Sequence, residues 1–212
     1  MKILIIGKGK MGKLLKEYFE KEYDVLNIDT LSLPTLKHSY DYIIDFSHPD
    51  SLKKYKYLVS DKTKIIIGTT NFSKEEKDYL LFLSKMNPIV IDSNFSKGID
   101  FIKRLLYVVN EMDYNITINE IHHQSKIDSP SGTTKDFISI LSKITPQVNS
   151  FRKEEEFGIH EVVLSNENEI LKFEHQILNK EVFCLGVKQS LLFLKDKESG
   201  LFTYKDVIDS GY

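Results

Sequence analysis

Strand-length apolar runs recur through the first ninety or so residues: KILIIG (2–7), YDYIIDFS (40–47), KTKIIIGTT (62–70) and NPIVIDSNFS (87–96). Each is nearly continuous in β-branched residues rather than alternating, so each needs cover on both faces, and strands of that kind belong to parallel sheets. The segments between them have helical spacing. In MGKLLKEYFEKEY (11–23), Leu14, Leu15, Tyr18 and Phe19 share one face, and YDVLNID (23–29) follows as a further strand. Ser73 and Glu76 stand at capping-box spacing at the start of another helix. This repeated strand–helix order predicts a Rossmann-like α/β domain with a parallel sheet.

After residue 96 the pattern changes. GIDFIKRLLYVVNEMD (98–113) and GTTKDFISILSKI (132–144) are spaced as helices, and YNITINEI (114–121) alternates as a half-buried strand. GIHEVVLSNENEILKFEHQIL (158–178) reads as two alternating strands about a polar turn. An α+β domain with a mixed or antiparallel sheet is expected over 96–189. Its neighbour is expected to comprise 1–95 with 190–212, entered by a last helix in EVFCLGVKQSLLFLKD (181–196). Arg152 and the Glu154 to Glu156 run read as a solvated loop.

With 212 residues, 41% hydrophobic and 28% charged, the chain can fill such cores. A net charge of -2 leaves no basic excess for a phosphate backbone, so no nucleic-acid partner is expected. No apolar run approaches the roughly 20 residues of a membrane span, and the first stretch is too short for a signal peptide. A cytoplasmic protein is expected, with no membrane partner. The single Cys184 excludes an internal disulfide and reads as a packed thiol.

The glycine string GKGKMG (7–12) sits between a strand and a helix, and Gly7, Gly9 and Gly12 fit the spacing that lets backbone N–H groups approach a pyrophosphate. Lys8, Lys10 and Met11 complete the loop. Asp29, ending the second strand, can accept from both ribose hydroxyls of an adenosine. In an open parallel sheet ligands lie beyond the carboxyl ends of the strands. That places Phe46 and Ser47, Gly68, Thr69 and Thr70, and Ser93, Asn94 and Phe95 along one cofactor trough.

EIHHQSKIDSPSGTTK (120–135), together with GKGKMG, DFS, GTT, SNFSKGI and FGIHEV, resembles the dihydrodipicolinate reductase family of bacterial lysine and diaminopimelate synthesis. The likeness runs in order over nearly the whole chain. It implies NAD(P)H-dependent reduction of 4-hydroxy-tetrahydrodipicolinate, a cyclic dicarboxylate, by a homotetramer. It further implies His122 as general acid with Lys126 as rival or assistant, and His123 as a contact to a substrate carboxylate. Ser131, Gly132 and Thr133 would form a carboxylate clamp at a helix N-terminus, where free N–H groups and the dipole suit an anion. The two histidines, being adjacent on a strand, point to opposite faces, and no cysteine or further histidine has convincing ligand spacing, so no metal site is expected. His160 fits a Gly-x-His pattern of the family and reads as a structural histidine.

The glycine loop is one residue shorter than is usual in the family, Lys10 stands where arginine is common, and Ser129 where alanine is. Asp29 opposes a 2′-phosphate, so NADH is expected to be preferred over NADPH by roughly tenfold. Lys8, Lys10 and Lys37 are the cations that could offset it. Two other readings stay open at this point, a different nicotinamide-dependent amino-acid dehydrogenase and a non-catalytic dinucleotide sensor.

Overall fold

The computed structural model describes residues 1–36, 39–124, 126–154 and 158–212. Contacts divide the chain into two compact units, Met1–Phe95 with Phe183–Tyr212, and Ser96–Val182.

The first unit is built on a six-stranded, all-parallel sheet in the order β10-β5-β4-β3-β1-β2. Its strands are β1 (Lys2–Ile6), β2 (Asp24–Ile28), β3 (Tyr42–Asp45), β4 (Lys64–Ile67), β5 (Pro88–Ile91) and β10 (Gly200–Phe202). Four consecutive residues of β1 and all four of β3 are buried, which is why their sequences are continuous rather than alternating. One core, with Ile3, Ile5, Ile44, Ile66 and Val90, takes Leu15 and Phe19 of α1 (Lys10–Phe19) and Cys184, Val187 and Leu191 of α6 (Glu181–Leu194). The opposite core gathers Leu4, Ile6, Ile43, Ile65 and Ile67 under Leu52 and Tyr55 of α2 (Ser51–Tyr55) and Leu80 and Leu83 of α3 (Lys74–Leu83). Each such side chain withdrawn from water contributes roughly 1.5–3 kcal/mol. The expected capping box opens α3: Ser73 N–H donates to Glu76 at 2.7 Å and Glu76 N–H to Ser73 Oγ at 3.3 Å.

The return to this unit falls at Phe183 rather than at residue 190. The reason is that α6 is one continuous helix whose Cys184 and Val187 already belong to the first core. Nor is α6 the last helix: β10 and α7 (Tyr204–Asp209) follow, with Tyr204 and Val207 buried in that core.

The second unit carries a four-stranded mixed sheet, β7-β6-β8-β9. Strand β6 (Asn115–His123) runs parallel to β7 (Gln147–Lys153) and antiparallel to β8 (Ile159–Ser165), which pairs antiparallel with β9 (Ile170–Gln176). Ile116, Ile118, Val162 and Leu164 face α4 (Lys97–Val109) and α5 (Gly132–Ile140) across a core with Ile102, Leu106 and Phe137. Arg152 therefore lies on β7, not in a loop; of the acidic run after it, Glu155 and Glu156 lie outside the described residues. Among the described residues no helix is long and apolar enough to cross a membrane.

Candidate active site

In the first unit β1 lies between β3 and β2, so the chain reverses its direction across the sheet at the β1/β3 boundary. Ligands of open parallel sheets sit beyond the carboxyl ends of the strands at such a point. The glycine loop leaves β1 there. Gly7 has φ +115°, and a Cβ on it would lie 2.4 Å from the Phe46 carbonyl oxygen; one on Gly12 would lie 1.7 Å from the Gly7 carbonyl oxygen. A Cβ on Gly9, the N-cap of α1, would meet nothing within 4 Å. Gly7 and Gly12 thus keep the loop tight, whereas Gly9 leaves open space at a helix N-terminus. Asn27, missed in the sequence, braces the turn by donating to the carbonyls of Ile5 at 3.1 Å and Gly7 at 2.8 Å.

Beside the loop lies a cleft of about 650 Å³ that brings together Met11, Phe46, Ser47, Gly68, Thr69 and Thr70. His48 and Asn71 also line it, and neither was singled out by the sequence. Beneath it Asp45 is fully buried. Its carboxylate accepts from Ser47 N–H at 3.1 Å, Ser47 Oγ at 2.5 Å, Thr69 Oγ1 at 3.2 Å and the Ser51 hydroxyl. Burial pushes its pKa up, against the pull of those donors.

Asp29, past β2, accepts from Ser32 N–H at 2.8 Å and Ser32 Oγ at 2.9 Å, which hold its carboxyl below the ordinary range, with Lys8 Nζ at 3.8 Å. Lys37 lies outside the described residues. Lys10 is the first residue of α1. Ser93 and Asn94 follow β5, and Asn94 N–H caps onto Asp92 at 3.3 Å. The Phe95 side chain is 1% exposed, and its ring packs behind Phe46 at 5.6 Å, in the core.

In the second unit, strand register assembles a polar row that no linear spacing shows. Glu120 and His122 alternate onto the buried side of β6. Glu120 is paired with Ser150 of β7 and His160 of β8, and His122 with Arg152. The His122 and His160 rings meet edge to face at 5.0 Å, and His160 Nε2 lies 3.3 Å from Ser131 Oγ. Burial lowers His122 below the ordinary imidazole pKa, with Glu120 opposing and Lys126 and Arg152 reinforcing; burial drives His160 down to about 3. His160 thus stands beside His122 and Ser131 in this buried row.

Glu120 would be raised by burial, yet donors from Ser131, Thr134 and Ser150 outweigh that and bring it to about 2. Ser131 N–H reaches its oxygens at 3.0 and 3.2 Å and Thr134 Oγ1 at 2.6 Å. Two expectations change as a result. The Ser131 N–H of the clamp is already engaged, and its hydroxyl caps α5 by accepting from Thr134 N–H at 3.2 Å. Gly132 and Thr133 form the first helical turn beyond it.

The absence of a third histidine with ligand spacing also holds only along the chain: Glu120, His122 and His160 bring ligand-type atoms within 4.8 Å of one another. The Glu120 oxygens are nonetheless occupied by donors, with the Arg152 guanidinium 3.7 Å away. His123, the next strand residue, turns to the other face and is half-buried. Lys126 follows β6 with its ammonium 3.0 Å from Asp128, a partner the sequence did not single out.

Residues 28–95 match the family described as dihydrodipicolinate reductase, N-terminus, and residues 98–208 match dihydrodipicolinate reductase, C-terminus. The chain is 33% identical to the 4-hydroxy-tetrahydrodipicolinate reductase of Thermosipho africanus, over 100% of both chains. To that of Clostridium novyi it is 32% identical, over 99% of this chain and 98% of the relative. A dipicolinate-bound dihydrodipicolinate reductase from Paenisporosarcina sp. TG-14 shares the fold with a TM-score of 0.75 at 16% identity, covering 97% of this chain and 98% of that one. The glycine loop at the sheet's switch point, the buried Glu120–His122–His160 row and the full-length relatives agree: the chain belongs to the dihydrodipicolinate reductase family.

Proposed function

We propose that the protein reduces 4-hydroxy-tetrahydrodipicolinate to tetrahydrodipicolinate with a nicotinamide dinucleotide, in lysine and diaminopimelate synthesis. The observation that carries the chemistry is the buried His122 beside Glu120 and His160, with the N-terminus of α5 tied to the same Glu120. The residues of the first unit fit a dinucleotide. Gly9 leaves room for backbone approach, the 650 Å³ cleft is of ligand size, and Asp29 stands ready to accept. Gly7 to Gly12 would hold the pyrophosphate, with Phe46, Ser47 and Gly68 to Thr70 lining the trough and Ser93 to Phe95 at its far end. When bound, the reduced cofactor would supply a hydride.

The chain's own work is to grip the dicarboxylate and deliver a proton. The Gly132 and Thr133 amides of the first turn of α5, which Ser131 caps, would meet a carboxylate with a helix dipole behind them. Lys126 adds a charge-assisted contact and His123 a further one. His122 releases its proton to the ring carbon next to the one that takes the hydride, a role worth ~10²–10⁴-fold. Because burial depresses its pKa and the Lys126 and Arg152 cations depress it further, the dianionic substrate is what favours its charged form.

NADH is the preferred cofactor in this reading. Asp29 keeps its charge through the Ser32 donors and opposes a 2′-phosphate. The protein acts as a cytoplasmic homotetramer, as the family resemblance implies.

Following NADH absorbance with freshly prepared cyclic substrate tests the activity. Sustained oxidation dependent on that substrate is expected, and none at micromolar enzyme would end the proposal. Asp29→Ala should narrow the kcat/KM ratio of NADH to NADPH from roughly tenfold toward one; an unmoved ratio would remove Asp29 from cofactor selection.

A further inference from the structure

We propose that Arg152 is the positioning residue of Lys126. The inference rests on the assignment of Lys126 to the dicarboxylate given above. Lys126 to Asp128 lies outside any helix or strand, and Ile127 between them is 98% exposed. Among the described residues, the Arg152 side chain ties this stretch down. From its place on β7 beside His122, Arg152 donates through Nε to the Lys126 carbonyl at 3.2 Å and through Nη2 to the Asp128 carbonyl at 2.7 Å. Its Nη1 donates to the Phe151 carbonyl at 3.0 Å and stands 3.7 Å from Glu120 Oε1.

A single planar fork therefore spans the carbonyls on both sides of Ile127 and faces the carboxylate that holds Ser131 N–H and Thr134 Oγ1. The segment carrying Lys126 and the first turn of α5 are thereby referred to one rigid group. Positioning of charged groups to within fractions of an ångström decides how much of their interaction a ligand feels. Five donors in a fixed fork are what this geometry uses, and a lysine offers a point charge on a flexible stem instead. Arg152 touches neither reacting atom in this scheme; its positioning effect passes through the backbone of Lys126, and its charge beside His122 is one that Arg152→Lys retains.

The test is a double-mutant cycle in the full-length protein, read as affinity for pyridine-2,6-dicarboxylate, kcat, and KM for NADH. Arg152→Ala should lower inhibitor affinity and kcat by roughly tenfold, the scale of one or two charge-assisted hydrogen bonds, and leave KM for NADH within about twofold. Arg152→Lys keeps a cation facing Glu120 and so guards the fold, yet should recover little; added guanidinium ion should restore part of the Arg152→Ala loss. On a Lys126→Ala background, Arg152→Ala should cost less than about twofold more. Wild-type affinity in Arg152→Lys, or full additivity with Lys126→Ala, would overturn the inference. A Lys126→Ala protein that binds the dicarboxylate like wild type would instead overturn the assignment of Lys126, and this inference with it.

Discussion

Glu120→Gln is a change whose size can be worked out from the site. The side chain is fully buried, and its carboxyl is held at about 2 against an ordinary value of 4.5. Each tenfold displacement of a proton equilibrium is worth about 1.4 kcal/mol, so the carboxylate contributes roughly 3 kcal/mol to folding at neutral pH. Two of its donors, the Ser131 N–H and the Thr134 hydroxyl, point to the same scale at ~1.5–3 kcal/mol for a hydrogen bond to a charged group. The depressed pKa fixes the sign. The contribution is complete above the unfolded-state value and disappears as pH falls toward the folded one.

Urea unfolding of wild type and variant should therefore show a gap of about 3 kcal/mol at pH 7, shrinking by roughly 1.4 kcal/mol at pH 3.5. Glutamine preserves the shape but turns one acceptor into a donor facing Thr134, so affinity for pyridine-2,6-dicarboxylate should fall as well. A gap below about 1 kcal/mol at pH 7, or one that does not narrow in acid, would refute the reasoning.

His122→Gln should lower kcat by ~10²–10⁴-fold with KM little changed, since the proton is needed only in the transition state; steady-state kinetics at saturating NADH decide it. Because burial lowers the free His122, kcat/KM should decline with rising pH through a value below the ordinary 6.5, whereas the limb in kcat lies higher once the dianion is bound. Coincident limbs would count against His122 as the acid. Gly9→Ala should leave the melting temperature unchanged and weaken NADH, its Cβ entering open space at the loop, whereas Gly12→Ala should lower the melting temperature because its Cβ would strike the Gly7 carbonyl. Equal effects on stability would contradict the division of roles among the glycines.

The parallel sheet was legible because strands buried on both faces cannot hide their composition, and Ser73 and Glu76 announced their helix through a local hydrogen-bond pair. Strand β7 was not legible. QVNSFRK is polar, with no buried residue, and it is a strand because β6 offers it a ladder, so Arg152 read as part of a solvated loop. β10 has three residues, too few for any period to register. Within the candidate site, His122, Lys126 and Ser131 could be read as one group because they stand together in the chain. Glu120 and His160 are 40 positions apart (160 minus 120), and only the antiparallel register of β6 and β8 joins them. Phe95 follows a strand end as site residues do, but the sequence did not show that its ring enters the core.

Asp45 has a consequence for motion. One sealed carboxylate takes donors from Ser47, Ser51 and Thr69, which belong to the turns after β3 and β4 and to the start of α2. None of these can swing away alone without stranding a charge or a hydroxyl in the interior, so the three segments form one opening unit. In hydrogen exchange the Ser47 amide, bound both to Asp45 and to Thr69 Oγ1 at 3.0 Å, would exchange only in step with that unit. The floor of the cleft behaves as a single plate, a surface already ordered before any ligand reaches it.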